Sequence, residues 1–225
     1  MPERRATRDG RLVGAEVVLD VGGAVHGGAC LARYDGRIVF VRHTLPAERV
    51  RARVTEDKDG SFLRADAVEI LESSPDRVAQ PCPHAGPGRC GGCDWQHATG
   101  ERQRALKADV VRDQFRRLAH LELGDTFTGV EELPGDLLGW RTRITYAAGP
   151  GGRLGLHRHR SDEIEVIEAC PLGMPGVGDS EVLARRWPAV TGVEVIRGDH
   201  GEVAVLEHRP GPGRQARGRR PPDRV

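Results

Sequence analysis

Between Gly14 and Leu71 apolar and polar residues alternate with a period of two, the signature of half-buried strands. Residues 15–20, 29–34, 37–41, 48–54 and 62–71 each read as one strand. They are separated by a glycine-rich turn at 21–28, an Asp35-Gly36 hairpin signal and a second turn at 57–60. Asp-Gly tolerates positive φ and so favours a tight turn. The run 48–54 alternates strictly, with Val50, Ala52 and Val54 on one face and Arg49, Arg51 and Arg53 on the other. Five short strands in so short a stretch predict a small β-barrel of the OB type, with Ser73-Ser74-Pro75 as its exit.

The period then changes. From Thr99, a plausible N-cap, residues 100–118 run helically, with Leu106, Val110, Phe115 and Leu118 as an apolar stripe and arginines over much of the rest. Alternation returns at 140–146, 153–157 and 163–167, and again at 193–197 and 202–207, with a short helix expected near 180–187. These later strands predict one antiparallel sheet. The expected fold class is mainly β with some α: an OB-like barrel, then an α+β antiparallel-sheet domain. No apolar run reaches the length of a membrane span, and the polar start Met1-Pro-Glu-Arg-Arg5 carries no signal peptide.

Cysteine chemistry changes the picture most. Cys82, Cys90 and Cys93 are compressed into Cys82-Pro-His-Ala-Gly-Pro-Gly-Arg-Cys90-Gly-Gly-Cys93, and Cys170 stands alone before Pro171. Four soft thiolates converging on one point suit an iron–sulfur cluster or a structural zinc. One loop supplying three ligands with a distant Cys-Pro closing the set is nearer the ferredoxin pattern than paired zinc knuckles. Cys30, the fifth, lies in an apolar strand and reads as a small buried hydrophobe. An odd cysteine count rules out complete internal disulfide pairing, so a reducing cytoplasm is the expected compartment.

Charge adds less than it promises. The net charge is +1, yet only Lys58 and Lys107 are lysines among 34 basic residues. Arginine's planar fork suits phosphate, and a GC-rich genome would give the same bias. Aromatic residues make up 4% of the chain, which excludes widespread base stacking. Trp140 reads either as a core residue or as a platform for one base. The histidines His84, His97, His157 and His159 show no pairing that points to catalysis.

Two resemblances carry a function. Gly22-Gly-Ala-Val-His-Gly-Gly-Ala29, Asp35-Gly-Arg-Ile-Val-Phe-Val41 and Leu45-Pro-Ala-Glu-Arg-Val-Arg-Ala-Arg-Val54 resemble a TRAM domain, an RNA-binding barrel. Cys82-Pro-His84, Cys90-Gly-Gly-Cys93-Asp-Trp-Gln-His97, Gly139-Trp-Arg-Thr-Arg143 and Ile167-Glu-Ala-Cys-Pro-Leu172 resemble, in this order, the bacterial 23S rRNA (uracil-5-)-methyltransferases. The resemblance covers residues 12–208 and implies a 4Fe–4S cluster held by Cys82, Cys90, Cys93 and Cys170. It implies RNA, with 23S rRNA first, as partner, and S-adenosylmethionine as the family's cofactor. The spacing of seven residues between Cys82 and Cys90 is longer than the family's. RNA contacts are expected from Arg37, Arg49, Arg51 and Arg53 in the barrel and from Arg141 and Arg143 beside Trp140.

These readings divide the chain into a flexible N-terminus at 1–10, a TRAM-like barrel at 11–73, an iron–sulfur domain at 74–208 and a disordered basic tail at 209–225. No strand, glycine-rich loop and helix follow one another as a nucleotide-binding fold requires, and Gly149-Pro-Gly-Gly-Arg-Leu-Gly155 joins two strands instead. The sequence therefore predicts that a Rossmann-like methyltransferase domain is absent and assigns no catalytic residue. Patterning stops abruptly after Glu207, which predicts a chain interrupted near residue 209, by a frameshift or an early stop, and a methyltransferase domain encoded separately. Two other functions stay open: a stand-alone RNA-binding iron–sulfur protein, and a zinc-stabilised RNA-binding module.

Overall fold

The computed structural model describes residues 12–58 and 61–211. The expected N-terminal segment 1–10, the last two residues of the 57–60 turn and all but the first three residues of the basic tail lie outside them. The chain divides between Gly135 and Asp136 into two compact units.

The first unit opens with six strands: β1 (Glu16–Asp20), β2 (Ala24–Val25), β3 (Ala29–Tyr34), β4 (Arg37–Arg42), β5 (Arg49–Lys58) and β6 (Phe62–Glu72). They form one sheet in the order β1-β5-β6-β4-β3-β2. Every pairing is antiparallel except β4 with β6. Three register shifts along β5 and β6 increase the bend of that pair. The sheet curls far enough for β1 to lie against β3, although three strands separate them in the sheet. Val17, Leu19, Val39, Val41, Val50 and Leu63 fill the interior. Cys30 is fully buried there, its thiol donating to the Thr44 carbonyl at 3.6 Å, and burial pushes its pKa up to about 11. It is a neutral core residue.

Helix α1 (Gly100–Gln114) begins where Thr99 caps it, the hydroxyl accepting from the Arg102 amide at 3.3 Å. It runs into a π-helical turn, Phe115–Ala119, and stops at His120, whose φ of 55° is left-handed. The expected apolar stripe is buried only at its start. Leu106 is inaccessible, while Phe115 and Leu118 are 43% and 75% exposed.

The second unit holds β7 (Arg143–Ala148), β8 (Leu154–His157), β9 (Ile164–Val166), β10 (Gly192–Arg197) and β11 (Val203–His208), ordered β11-β10-β7-β8-β9. All its pairings are antiparallel. The segment expected to be a short helix is a 3-10 turn, Glu181–Ala184, capped by Ser180.

The fold class expected from the sequence is corrected here. The first sheet has six strands, because β2 forms inside the glycine-rich turn and pairs with β3. The α-helix does not join the second sheet in an α+β domain. It packs in the first unit, where Leu106 makes one cluster with Leu45 and Ala98. Among the described residues the second unit is a sheet with 3-10 turns.

What fastens the stretch after β6 to the first sheet is a buried ion pair. Arg77 grips Glu48 with both prongs, Nε to Oε1 at 2.5 Å and Nη2 to Oε2 at 2.7 Å. The amides of Leu45 (2.8 Å) and Ser74 (3.2 Å) donate to the same carboxylate. Burial pushes the Glu48 carboxyl up, but the Arg77 hydrogen bond, the two amides and the Arg77 charge outweigh it and hold the carboxyl below its usual 4.5. Removing one member of a buried pair strands the other at a cost of about 3–5 kcal/mol. Glu48→Ala should therefore lower the unfolding free energy in urea by about that amount. Because the folded-state value is depressed, the pair's contribution is complete above 4.5 and is lost as pH falls through the folded value. Glu48→Gln should flatten the acid limb of the stability profile, and an unchanged limb would assign acid unfolding to other carboxylates.

Candidate functional site

The three clustered cysteines sit on a loop closed on itself. The Ala85 amide donates to the Cys82 carbonyl at 3.2 Å and the Cys90 amide to the His84 carbonyl at 3.1 Å. Gln80 Nε2 donates to the Ala85 carbonyl at 2.5 Å. Gly88 takes a φ of +69°, a conformation glycine adopts without penalty. Its backbone bonds the Asp66 carboxyl of β6; burial raises that carboxyl's pKa despite this bond and the charge of Arg42.

The first sheet holds the far end of the loop too. Arg42 of β4 reaches Asp94 at 2.7 Å with only 8% of its side chain exposed. The His97 ring nitrogen Nε2 lies 3.3 Å from the Thr44 carbonyl, the acceptor that Cys30 also uses. A carbonyl only accepts, so Nε2 carries a proton. Burial, reinforced by the Arg77 charge, depresses the His97 pKa and keeps the ring neutral. Gly28, at a φ of +77°, leaves the space that Asp94 occupies.

The fourth cysteine belongs to the second unit. Its amide donates to the Gly178 carbonyl at 2.7 Å, and its carbonyl accepts from Gly173 at 3.0 Å. Tyr146 of β7 anchors this turn, its hydroxyl donating to Val177 at 2.7 Å. Burial, with the neighbouring charges of Cys170 and Asp179, pushes the Tyr146 pKa far up. A cavity of about 350 Å³ adjoins Cys170, lined also by Leu138, Pro171, Pro175 and Asp179.

None of the five cysteines is in a disulfide. Cys82, Cys90 and Cys170 are buried and Cys93 is half-buried. Thiolates are soft donors of the kind an iron–sulfur cluster takes, and a side-chain amide N–H is directed at the Cys93 sulfur. Among the described residues, however, no three or more His, Cys, Asp or Glu side chains are gathered closely enough to hold a metal ion. Three of these cysteines lie on a loop of the first unit and the fourth on a turn of the second.

The six arginines expected to meet RNA are placed as follows. Arg49, Arg51 and Arg53 line the exposed face of β5, and β1 and β6 set carboxylates on either side. Arg49 pairs with Asp20 (3.8 Å) and Glu72 (3.6 Å), Arg51 with Glu69 (2.8 Å) and Arg53 with Glu16 (2.8 Å). Four carboxylates therefore face three guanidiniums. Arg37 binds the shielded carboxylate of Asp57, and that hydrogen bond, with the Leu12 amide, holds Asp57 below its usual range. Arg143 hydrogen-bonds Glu194, which Thr145 also contacts at 3.1 Å, and the Arg143 bond lowers the Glu194 pKa against the effect of burial. Arg141 instead lies over the ring of Trp140, 5.2 Å from its centre. Trp140 is 58% exposed, so it is not a core residue.

The sequence reading missed Glu48, Arg77 and Gln96. Glu48 gave a signal, since it falls in the apolar phase of its strand with Val50 and Ala52. Gln96 stands in the motif Cys93-Asp-Trp-Gln-His97, three positions from Cys93, but was given no role.

Sequence comparison finds relatives for this chain. The TRAM domain family matches residues 10–68, most of the six-stranded sheet. An uncharacterized RNA methyltransferase of Streptomyces avermitilis is 48% identical over 211 residues, covering 88% of this chain and 49% of the relative. One from Streptomyces coelicolor is 50% identical over 212 residues, covering 89% and 46%. This chain belongs to the RNA methyltransferase family. The 23S rRNA (uracil(1939)-C(5))-methyltransferase RlmD of Methylococcus capsulatus is also similar, 38% identical over 159 residues, 68% of this chain and 34% of that one. The chain spans about half the length of the Streptomyces relatives, 49% and 46%.

That coverage overturns the last part of the expected fold class. The sequence reading counted a Rossmann-like methyltransferase domain as absent, but the relatives that match 88% and 89% of this chain are full-length RNA methyltransferases extending well beyond the matched stretch. The end of the matched stretch is thus no evidence against such a domain. A separately encoded methyltransferase partner finds no support in these relatives either. No helix among the described residues is long and apolar enough to cross a membrane.

The loop's attachment to the sheet can be tested at Gly28. A Cβ there would overlap the Asp94 carboxyl, at a φ that side chains rarely adopt. Gly28→Ala should break the Arg42–Asp94 pair and cost about 1–3 kcal/mol of stability. Proteolysis between Cys82 and Cys93 should quicken, and wild-type resistance would show that Asp94 moves aside freely.

Proposed function

We propose that this chain serves RNA (uracil-C5) methylation, with 23S rRNA as substrate. In this reading a TRAM-like barrel at 11–73 engages RNA and the stretch 74–208 carries a 4Fe–4S cluster on Cys82, Cys90, Cys93 and Cys170. The observation that carries the proposal is the joint match: a TRAM domain at 10–68 and about half identity to RNA methyltransferases over nearly nine tenths of the chain. The relative named as a 23S rRNA uracil methyltransferase supports the substrate. The sequence resemblance of the cysteine motifs, rather than the assembled geometry, supports the cluster.

S-adenosylmethionine would be the methyl donor. The glycine-rich segment among the described residues does not fit it. Gly149 leads through the 3-10 turn Pro150–Gly152 straight into β8, so no helix N-terminus faces the glycines. In this reading the described residues take roles in binding and positioning. With cysteine at all four ligand positions, the cluster would have no open iron for substrate and would act as a structural crosslink.

Loaded anaerobically, the chain should contain about four irons and absorb broadly in the visible. Cys93→Ser and Cys170→Ser should each abolish that absorption. Stoichiometric zinc from a preparation offered both metals would instead favour a zinc-stabilised RNA-binding module.

For RNA, the geometry favours Trp140 and Arg141 over the paired arginines. Trp140 is 58% exposed with Arg141 over its ring, and stacking of one base on an aromatic ring is worth about 1–3 kcal/mol. Trp140→Ala should weaken binding of a 23S rRNA fragment by roughly tenfold or more. The combined change of Arg49, Arg51 and Arg53 to Ala should lower the slope of log affinity against log salt by at most about 2–3. If that triple variant binds with unchanged affinity and slope, the β5 face is outside the RNA site.

A further inference from the structure

The carboxamide of Gln96 joins two of the three loop cysteines. Its Oε1 accepts from the Cys82 amide at 3.2 Å, and its Nε2 lies 3.0 Å from Cys93 Sγ. The orientation of the amide is forced by chemistry. A backbone N–H can only donate, so the atom facing Cys82 must be the oxygen, and the NH2 group is left facing the sulfur. Glutamine is suited to this place because one planar group accepts at one end and donates at the other. Glutamate would keep the acceptor and lose the donor, and leucine would lose both. The residue sits three positions beyond Cys93 and fourteen beyond Cys82, so its side chain spans the loop from its last cysteine to its first.

We infer that Gln96 is a positioning residue for the proposed cluster, clamping the Cys82–Cys93 loop and donating an N–H to the Cys93 sulfur. The inference rests on the cluster reading for its electronic half and on the geometry alone for its clamping half. An N–H directed at a ligating sulfur withdraws charge from it. It therefore stabilises the reduced, more negative form and raises the reduction potential. Removing the donor makes reduction harder, and removing the clamp lets the loop open.

The test compares the full chain with Gln96→Leu and Gln96→Glu, each with and without iron. In the iron-loaded protein, both variants should shift the reduced-to-oxidised ratio at fixed potential at least tenfold towards oxidised. That is a potential lower by about 59 mV for one electron. Gln96→Leu should also release iron to a chelator at least tenfold faster. In the metal-free protein, hydrogen exchange at the Cys82 amide should quicken in Gln96→Leu and stay protected in Gln96→Glu, which keeps the acceptor. Loaded variants with wild-type potential and release rate would overturn the electronic role. Cys82 exchange equal in all three chains would overturn the clamp. Failure of the cluster reading looks different: the wild-type chain then takes up no iron, while the exchange pattern still decides whether Gln96 holds the loop.

Discussion

The path of the chain into the cysteine loop is fixed by the carboxylate of Glu48. It is held by four donors: two prongs of Arg77 and the amides of Leu45 and Ser74. A buried carboxylate is costly unless its lone pairs are met, and here the donors come from both sides of the junction. Leu45 lies just before β5 and Ser74 just after β6, so the entry to one strand and the exit from the next are fixed to one point. Arg77 carries the constraint onward, since its Nη2 also donates to the His43 carbonyl at 2.9 Å. Burying the pair sacrifices hydration, but it defines where the chain goes on leaving the sheet.

From that point each attachment follows in sequence. The Val78 amide bonds the His97 carbonyl, Thr99 bonds Asp76, and Leu106 closes over Leu45 and Ala98. The segment from Arg77 to Ala98 thus returns to its own start, with the three loop cysteines carried between its ends. Arg42–Asp94 and Gly88–Asp66 tie the middle of the segment to β4 and β6. A loop rich in glycine and proline gains its shape from the sheet beneath rather than from its own propensities.

This division explains what was legible in the sequence. Strands were plain because alternation reports burial directly: β3 and β8 lie within a residue of where the pattern puts them, and Thr99 caps α1 as its side chain predicts. The Gly-Gly turn concealed β2, because two residues carry no period. The helical stripe overstated burial, since period 3.6 shows which face is apolar and not how much of it finds a partner. Of the site, the cysteines were conspicuous by residue type. Their supports were not, because Arg77, Asp94 and Gln96 act across gaps that no local pattern spans. Glu48 is the exception: an acid in the apolar phase of a strand must meet a donor, and only the identity of Arg77 needed the structure.

The arginines show why composition misleads about surfaces. A chain with 34 basic residues and two lysines invites a phosphate-binding reading, yet its net charge is +1 because acids match the bases. On β5 the matching is local. The cross-strand register sets Arg49 opposite Asp20 and Glu72, Arg51 opposite Glu69, and Arg53 opposite Glu16 and Asp66. Such exposed pairs add little stability each, but they cancel the field that would draw RNA from a distance. Phosphate could compete for these guanidiniums only by displacing carboxylates already beside them. Trp140 with Arg141 is a different kind of surface feature, an exposed aromatic ring with a guanidinium 5.2 Å from its centre. Stacking on an aromatic ring depends on such geometry and far less on net charge, so the balance of surface charges on β5 leaves it untouched.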